Sequence, residues 1–304
     1  MGISVCITVL NEEGAIGPLL DSLINQGKKA DEIVVVDGGS KDRTIEIINH
    51  YQKRAKSVKL LKEKCSRAKG RNLGVEIAKN EIIAITDAGC VADKYWLEKI
   101  TKPLISTPGV DVSAGFYNMV AENPFQKAES VFLGVTPSDF DINFLPSTRS
   151  IAFRKSIWEK VGGFPENLPG AAEDTVFNFR VIKAGAKLSR VKDAVVEWGM
   201  PDTITNFYFS IFNYAKGDAK SKIWLFPKKG LASHNIKALS VLLRYLLGLT
   251  LLALSFKFPY LLAYLFICLF VYLIWAYRKA GLWGIVLQLT SDFAVMGGFI
   301  NGIL

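Results

Sequence analysis

The chain has 304 residues, of which 50% are hydrophobic, and its mean hydropathy is +0.24. This composition excludes a disordered chain, a collagen-like repeat and a small disulfide-stapled domain. The formal net charge of +9 fits nucleic acid, a membrane surface or a diphosphate substrate, and the apolar C-terminal region favours the last two, so we expect no nucleic-acid partner.

Few side chains in the sequence are suited to bind a transition metal. The four cysteines form no CxxC pair, and two histidines are too few for a His-rich zinc or iron site. Any metal therefore needs carboxylate ligands, which are typical of Mg²⁺ or Mn²⁺. The apolar run that follows Met1 has no basic residues before it, so we expect no cleavable signal peptide.

Residues 3–86 alternate continuous apolar runs, typical of buried strands, with segments whose apolar residues recur at helical spacing. The predicted strands are 3–10, 32–37, 58–61 and 82–86, and the predicted helices are 14–26, 42–53 and 67–78. This alternation predicts a parallel, doubly wound α/β sheet. Its ligand site is expected at the carboxyl ends of the strands.

Between residues 110 and 200 the pattern is less regular. It predicts strands at 110–116, 149–154 and 195–198 and a helix at 173–184, and it leaves 125–146 unassigned. We assign residues 1–200 to this first domain, and most of the charged residues lie before residue 230.

Residues 201–235 combine aromatic side chains with lysines. This pattern predicts an amphipathic helix in a membrane interface, and an ordinary packed helix is the alternative. Three apolar runs follow in a domain that covers 236–304, at 236–256, 258–277 and 282–304. Each has about the 20 residues that a helix needs to cross a bilayer.

The cations that flank these runs predict their orientation. They are Lys228, Lys229, Arg278 and Lys279 on one side and Lys257 on the other. By the positive-inside rule, residues 1–200 face the cytosol and the C-terminus lies outside. The sequence thus predicts a multi-pass protein of the cell membrane.

Two charged residues interrupt the apolar runs at similar depth. Arg244 lies in the first run and Asp292 in the third. Because a charge at that depth is costly and usually paired, we expect the two to meet, or Arg244 to receive a lipid phosphate. The alternative is that Arg244 only extends to the headgroups.

Four local patterns lie where predicted strands end, at residues 8–13, 36–44, 65–74 and 85–90. An acid before two glycines, as at Asp37, can bind a base edge or a ribose hydroxyl. Cations at a helix start can bind phosphate oxygens. An acid at a strand end, as at Asp87, can reach a metal that carries a diphosphate. Taken singly, each pattern has a plain alternative: a turn, a solvated helix face or a helix N-cap.

The order and spacing of the four patterns resemble those of family 2 glycosyltransferases with a GT-A fold. The resemblance covers residues 3–200, and the tail is similar to the membrane part of cellulose-synthase-like enzymes in reduced form. It implies a Rossmann-like mixed sheet flanked by helices, an interfacial helix and three C-terminal transmembrane helices. Within the family, the chain is similar to crenarchaeal membrane mannosyltransferases of N-glycan biosynthesis.

This resemblance implies roles for individual residues. Glu173 and Asp174 match the acidic pair whose Asp is the general base, and Asp87 matches the first acid of the metal motif. The residues matched to nucleotide-sugar binding are Thr8, Leu10, Glu12, Asp37, Lys69, Arg71, Asp87 and Ala88. Acceptor or sugar contacts are implied for Ser147, Arg149 and Phe164, the last of which follows a Gly-Gly turn.

The sequence departs from the family pattern at two places. Gly89 stands where the second acid of the metal motif is common, so a metal would have one protein carboxylate plus diphosphate oxygens and water. The QxxRW motif of processive synthases is absent, and residues 213–218 and Trp224 occupy that region. This second departure argues against a long polysaccharide product.

The resemblance implies an inverting, metal-dependent hexosyltransferase that uses Mn or Mg. We expect GDP-mannose as the donor, with a UDP-sugar as the alternative. A sugar hydroxyl needs a general base to take its proton, whereas an ionised phosphate needs little help from a base. The acidic pair Glu173 and Asp174 therefore favours a lipid-linked glycan as the acceptor. The alternatives are a polyprenyl phosphate acceptor and a non-catalytic membrane module that binds nucleotide-sugars or lipids.

Overall fold

A computed structural model describes residues 1–168, 171–222 and 233–304. The chain divides into two compact units. Unit 1 comprises Met1–Val120, Thr136–Asn167 and Glu173–Gly199, and unit 2 comprises Ala121–Val135, Leu168–Ala172 and Met200–Leu304.

Unit 1 contains all the strands and six of the helices among the described residues. The strands are β1 (Ile3–Val9), β2 (Glu32–Asp37), β3 (Val58–Lys62), β4 (Ile82–Ile85), β5 (Cys90–Ala92), β6 (Val110–Val120), β7 (Ile151–Arg154) and β8 (Lys187–Gly199). The helices of unit 1 are α1 (Ile16–Ile24), α2 (Thr44–Arg54), α3 (Arg67–Ile77), α4 (Trp96–Ser106), α6 (Lys155–Val161) and α7 (Glu173–Lys183); those of unit 2 are α5 (Pro124–Leu133), α8 (Ile204–Ser221), α9 (Ser233–Ser255) and α10 (Tyr260–Ile303).

The eight strands form one sheet in the order β3-β2-β1-β4-β7-β6-β8-β5. The first four strands of this order are parallel, as predicted, but β7 runs antiparallel to both β4 and β6, and β5 runs antiparallel to β8. The parallel arrangement predicted for the strands within residues 3–86 is therefore confirmed, and so is the mixed sheet implied by the family resemblance. Strand direction depends on how the chain returns to the sheet, which apolar periodicity does not report.

Several elements differ from the sequence-based expectations. β5, α4 and α6 were not predicted, and α5 lies in the unassigned stretch. β8 begins eight residues before its predicted start, whereas β7 begins at Ile151 rather than at residue 149. The reason for the late start is a turn in which the Ser150 N–H donates to the Ser147 carbonyl at 3.0 Å. Residues 147–150 thus form a loop before the strand.

Helix α3 packs directly on the central strand β1. A Cβ on Gly70 would lie 2.4 Å from Cγ2 of Thr8, so only glycine allows this approach. The close packing places the first turns of α3 beside the carboxyl ends of β1 and β2. A core of buried rings that includes Phe153, Phe164 and Phe177 supports the same side of the sheet.

Two helices of unit 2 are long and apolar enough to cross a membrane, namely α9, over Ala238–Ser255, and α10. The backbone of α10 is non-helical at Ala280 and at Gly281, where φ is 63°. This interruption lies between the second and third predicted apolar runs. Among the residues that the structure describes there are therefore two candidate membrane helices, of which the second is divided within its length.

Helix α8 packs against the C-terminal half of α10 through glycines. A Cβ on Gly298 would lie 2.2 Å from the Phe212 carbonyl oxygen, and one on Gly302 would lie 2.4 Å from that of Lys216. α8 also buries Phe207. Packing of this kind is what the packed-helix alternative predicts, and a place in the membrane interface stays a prediction. Lys228, Lys229 and Trp224 lie outside the described residues.

The predicted pair within the apolar runs is confirmed. Arg244 Nη2 lies 2.5 Å from Asp292 Oδ2, and the Asp292 side chain is buried. Asp292 also accepts hydrogen bonds from Tyr245 (3.1 Å), Tyr272 and Gln288 (2.9 Å). One carboxylate thus joins α9 to both halves of α10.

Candidate functional site

The guanidinium of Arg71 is the centre of the candidate site. Arg71 lies on α3 and is 3% exposed. Its Nη2 donates to Oδ1 of Asp87 at 2.7 Å, and its Nη1 donates to Oε1 of Glu173. Asp87 follows β4 and Glu173 begins α7. One buried cation therefore joins the third and fourth sequence patterns to the acidic pair.

The carboxylate of Asp87 is held in its charged form. Burial acts to raise its pKa, but the positive charges of Arg71, Arg149 and Arg67 outweigh burial and keep the pKa below its ordinary value. The Thr148 hydroxyl lies 3.4 Å from Oδ2 of Asp87. Asp87 thus remains an anion that can bind a cation through its Oδ2 side.

The pKa of Asp174 is shifted in the opposite direction. Burial, followed by the negative charge of Glu173, raises the pKa of Asp174, while Arg71 and Arg149 act against the rise. Its Oδ1 accepts a hydrogen bond from the Thr175 N–H at 2.7 Å. A carboxylate whose pKa is raised by burial and by a neighbouring acid accepts a proton more readily than an ordinary Asp.

Asp37 ends β2 and is buried. Its Oδ2 accepts the backbone N–H groups of Gly39 at 3.0 Å and Ser40 at 3.1 Å. Gly39 has a φ of 105°, which favours glycine. Asp37 thus stabilises a backbone turn, which was the alternative role given for it. Binding of a nucleotide base or a ribose by Asp37 stays a prediction.

The three residues predicted from the first pattern lie in different environments. The Thr8 hydroxyl is buried beneath α3 and has no hydrogen-bond partner among the described residues. Leu10 is exposed just beyond the end of β1. The carboxyl of Glu12 has a raised pKa, first through burial, with Arg67 opposing the rise and Asp87 adding to it. Of the three, only Glu12 interacts with the group around Asp87.

The other predicted residues lie at varied positions. Lys69 is half-exposed, with Nζ 3.4 Å from Oε1 of Glu63, and Ala88 is buried. Ser147 Oγ accepts the N–H of Arg149 at 3.3 Å. Phe164 is only 1% exposed, because its ring stacks on Phe177 with the centroids 4.3 Å apart. In this structure Phe164 therefore supports the site from the core and presents no ring face to an acceptor.

Sequence reasoning gave no role to Asn72, and it treated Arg67 only as one of the cations at the start of a helix. Asn72 binds both backbone groups of Phe164, donating to its carbonyl and accepting its N–H, each at 2.8 Å. Arg67 Nη1 lies 3.9 Å from Oε1 of Glu173. Both residues belong to the third pattern. The available signal for Arg67 was its position four residues before Arg71 on the same helix, and the sequence offered none for Asn72.

The protein ligands available for a metal are few. The described residues contain no group of three or more His, Cys, Asp or Glu side chains arranged to hold a metal ion. Asp87 is ionised and Gly89 supplies no second acid. Mg²⁺ commonly binds one or two carboxylates and completes its ligands with substrate phosphates and water. The residues present therefore fit a hard cation that binds together with a diphosphate.

Two curated relatives are similar to most of the chain. Glycosyltransferase AglE of Haloferax volcanii is 28% identical over 200 residues, covering 64% of this chain and 65% of the relative. The probable glycosyltransferase YdaM of Bacillus subtilis is 26% identical over 236 residues, covering 71% of this chain and 55% of its own length. The chain thus spans less than two thirds of the length of either relative.

Solved structures share the fold. Mannosyltransferase PcManGT from Pyrobaculum calidifontis, in complex with GDP-Man and Mn²⁺, has a TM-score of 0.72 at 19% identity and covers 99% of this chain and 86% of its own. TarS 1–349 of S. aureus with UDP-GlcNAc has a TM-score of 0.56 at 22% identity, covering 77% of this chain and 69% of its own. At such identities these similarities show the fold alone.

The sequence itself matches a family profile over the part of the chain that carries Asp37, Arg71 and Asp87. Residues 4–160 match the profile described as Glycosyl transferase family 2, which is more than half of the chain. The resemblance found from the four strand-end patterns is thereby confirmed at the level of the family. This chain belongs to glycosyl transferase family 2.

Proposed function

We propose that this protein is an inverting, metal-dependent hexosyltransferase that moves mannose from GDP-mannose to a lipid-linked glycan. The observation that carries the proposal is the Arg71 bridge between Asp87 and Glu173, with Asp174 beside it. In a family 2 chain, this arrangement brings together an anion for a diphosphate-bound cation and a base for an acceptor hydroxyl.

The residues divide the chemistry between them. Asp87 would hold Mn²⁺ or Mg²⁺, which supplies positive charge to the diphosphate leaving group. Arg71 keeps Asp87 in place and ionised. Asp174 takes the proton of the acceptor hydroxyl as that oxygen attacks the anomeric carbon from the face opposite the diphosphate, which inverts the configuration.

The remaining predicted binding residues form part of this proposal. Asp37 would contact the base or ribose, with Thr8, Leu10, Glu12 and Ala88 around the nucleotide and Lys69 near the diphosphate. GDP-mannose is proposed because PcManGT, which shares the fold, was solved with GDP-Man and Mn²⁺. TarS was solved with UDP-GlcNAc, so UDP-sugars are the competing donors.

The helices of unit 2 support a membrane acceptor. α9 and α10 are apolar enough to cross a bilayer, and the break at Ala280 and Gly281 would divide α10 into two spans, giving three in all. With Arg278 and Lys279 at that break, the positive-inside rule would put the catalytic residues in the cytosol and the C-terminus outside. A sugar hydroxyl is the proposed nucleophile because Asp174 has the raised pKa of a base.

The test is a transfer assay on the full-length protein in detergent or liposomes. Radiolabelled GDP-mannose or UDP-sugars, Mn²⁺ and a membrane lipid extract are supplied, and label in the lipid phase is measured. We expect transfer from GDP-mannose and a loss of about 10²-fold or more in Asp174→Asn, with binding of GDP-mannose retained. Exposed Glu46→Gln on α2 is the matched control, since it is a carboxylate-to-amide change outside the site.

Three outcomes would contradict parts of the proposal. Unchanged turnover in Asp174→Asn would show that Asp174 is not the general base. Release of the sugar by mild acid shows a glycosyl phosphate and thus a polyprenyl phosphate acceptor. Binding of nucleotide-sugars without transfer to any lipid indicates a non-catalytic binding module.

A further inference from the structure

The two carboxylate oxygens of Asp87 have different surroundings. Oδ1 accepts a hydrogen bond from Arg71 Nη2 at 2.7 Å, so Oδ2 is the oxygen that is available to a metal ion. The Asp87 side chain is 32% exposed, which allows a cation and a diphosphate to reach it. Gly89 supplies no second acid. A single carboxylate oxygen is a small share of the six or so oxygen ligands that a hard cation takes.

The hydroxyl of Thr148 faces the same carboxylate oxygen. Its Oγ1 lies 3.4 Å from Asp87 Oδ2, which is longer than an ordinary O–H···O hydrogen bond of about 2.7 Å. Two neighbouring oxygen ligands of an octahedral Mg²⁺, each about 2.1 Å from the ion, lie about 3 Å apart. A cation on Oδ2 therefore reaches Thr148 Oγ1 after a shift of a few tenths of an ångström. Threonine and serine hydroxyls bind Mg²⁺ in P-loop NTPases, so the chemistry is suitable.

The loop that carries Thr148 is fixed on both sides of this residue. Before it, Nδ2 of Asn178, a buried residue of α7, donates to the Pro146 carbonyl at 2.6 Å. After it, the Arg149 guanidinium lies over the Trp198 ring, with Cζ 3.8 Å from the centroid. Thr148 itself is only 3% exposed. A ligand oxygen that is held in this way needs little rearrangement when an ion binds.

Position 89 has room for the acid that it lacks. Gly89 is not among the glycines with a positive φ, and a Cβ on it would lie 3.9 Å from Cδ1 of Trp198, an ordinary van der Waals distance. Neither backbone strain nor crowding therefore requires glycine here. A neutral hydroxyl in place of a second carboxylate leaves the ion with one more positive charge, and that charge acts on the diphosphate.

We propose that the hydroxyl of Thr148 is the second protein ligand of the metal ion that Asp87 holds. The inference rests on the proposed function, in which Mn²⁺ or Mg²⁺ binds together with the donor diphosphate, and it extends that function by naming a further ligand. Asp87 Oδ2 and Thr148 Oγ1 each supply one oxygen, and the diphosphate and water supply the others. The hydroxyl, which donates towards Oδ2 in this structure, turns a lone pair to the ion in the metal-bound state.

The first test removes the hydroxyl oxygen with Thr148→Val in the full-length protein. Binding of GDP and of UDP is measured by calorimetry, once with Mn²⁺ and once with EDTA. We expect binding with Mn²⁺ to weaken about tenfold, at the lower end of the losses seen when a group that supports a bound metal is removed, and binding with EDTA to stay within about twofold. Thr148→Ser keeps the hydroxyl and should stay within about threefold of the wild type in both conditions. Exposed Thr107→Val is the matched control.

The second test exchanges the ligand, and it decides the question even if Thr148→Val does not fold. A thiolate is a soft ligand that prefers softer cations to Mg²⁺. Compared with the wild type, Thr148→Cys should therefore bind GDP or UDP more weakly with Mg²⁺ and more tightly with Cd²⁺. The free cysteines Cys65 and Cys90 are present in both proteins, so the wild type with Cd²⁺ accounts for their effect. A residue with only a structural role would give the same loss with both ions.

Three results would overturn the inference: a loss in Thr148→Val that is equal with Mn²⁺ and with EDTA, no loss in either condition, or no gain for Cd²⁺ in Thr148→Cys. The proposed function survives these results as long as the wild type binds GDP or UDP more tightly with Mn²⁺ than with EDTA. If nucleotide binding by the wild type does not respond to Mn²⁺, the proposed metal-dependent function itself fails, and this inference fails with it.

Discussion

Replacing Arg71 by Met should destabilise unit 1 strongly, because it removes the shared partner of two carboxylates. The Arg71 and Glu173 side chains are 3% and 7% exposed, and Asp87 Oδ1 lies 2.7 Å from Arg71 Nη2. Removing one partner of a buried ion pair costs about 3–5 kcal/mol, since the remaining charge has no compensation. In a domain of this size that corresponds to a fall in Tm of about 6–20 °C.

The loss of stability in Arg71→Met should depend on pH, and the lowered pKa of Asp87 determines the direction of that dependence. In the wild type that pKa is below its ordinary value, so Asp87 contributes stability above about pH 4 and loses it as the pH falls through the folded-state pKa. Arg71→Met removes the largest of the attractions that lower this pKa. The difference in Tm between wild type and variant should therefore be large at neutral pH and should shrink as the pH falls below about 4.

The measurement is thermal unfolding of the full-length protein in detergent, followed by tryptophan fluorescence from pH 3.5 to 8. Arg71→Lys keeps the positive charge but lacks the two guanidinium nitrogens that contact Asp87 and Glu173. An intermediate Tm is therefore expected. Arg43→Met is the matched control, because Arg43 and its partner Glu46 are both 73% exposed and such pairs contribute about 0.5 kcal/mol or less. A Tm loss for Arg71→Met that is absent, or that is the same at every pH, would refute the reasoning.

Three further predictions concern other buried acids. The raised pKa of Asp174 predicts that kcat falls as the pH drops through a value above that of an ordinary Asp, which a pH–rate profile measures. Asp292→Asn and Arg244→Leu should each lower the Tm in detergent, but their double variant should lose less than the sum, because the two side chains are 2.5 Å apart. Glu129 on α5 is buried, and burial, followed by the charge of Asp202, raises its pKa to about 7. Glu129→Gln should therefore raise the Tm above pH 7 and change it little below pH 5, and a pH-independent change would contradict this.

The parts of the fold that the sequence predicted are those with local causes. β2 and β4 are buried along their whole length, and β1 is buried except at Thr8, so their apolar runs are continuous, and their polar ends locate Asp37 and Asp87. The helices α1 to α3 show the apolar spacing of one buried face. In each of these cases, residues within a few positions of one another determine the element.

The contacts that organise the site depend on residues far apart in the chain. Arg71 and Glu173 are 102 positions apart, and Arg149, in the loop before β7, contacts Trp198 of β8. Nothing in the third pattern distinguishes a cation that faces phosphate from one that is buried between two acids, since both are Arg near a helix start. The direction of β7 could not be derived from local patterns for the same reason, because it follows from a chain return that spans residues 121–150.

The arrangement around Arg71 also explains how one site can contain two acids for which different tasks are proposed. In the proposed mechanism Asp87 must stay ionised to hold a cation, while Asp174 must bind a proton during transfer. Arg71 and Arg149 act on both carboxyl groups, yet only Asp87 has Arg71 in direct contact, at 2.7 Å. Burial, followed by the charge of Glu173, raises the pKa of Asp174, and Arg71 opposes this rise without direct contact. One buried guanidinium therefore lowers the pKa of the first acid directly and holds in place Glu173, whose charge adds to the effect of burial on the second.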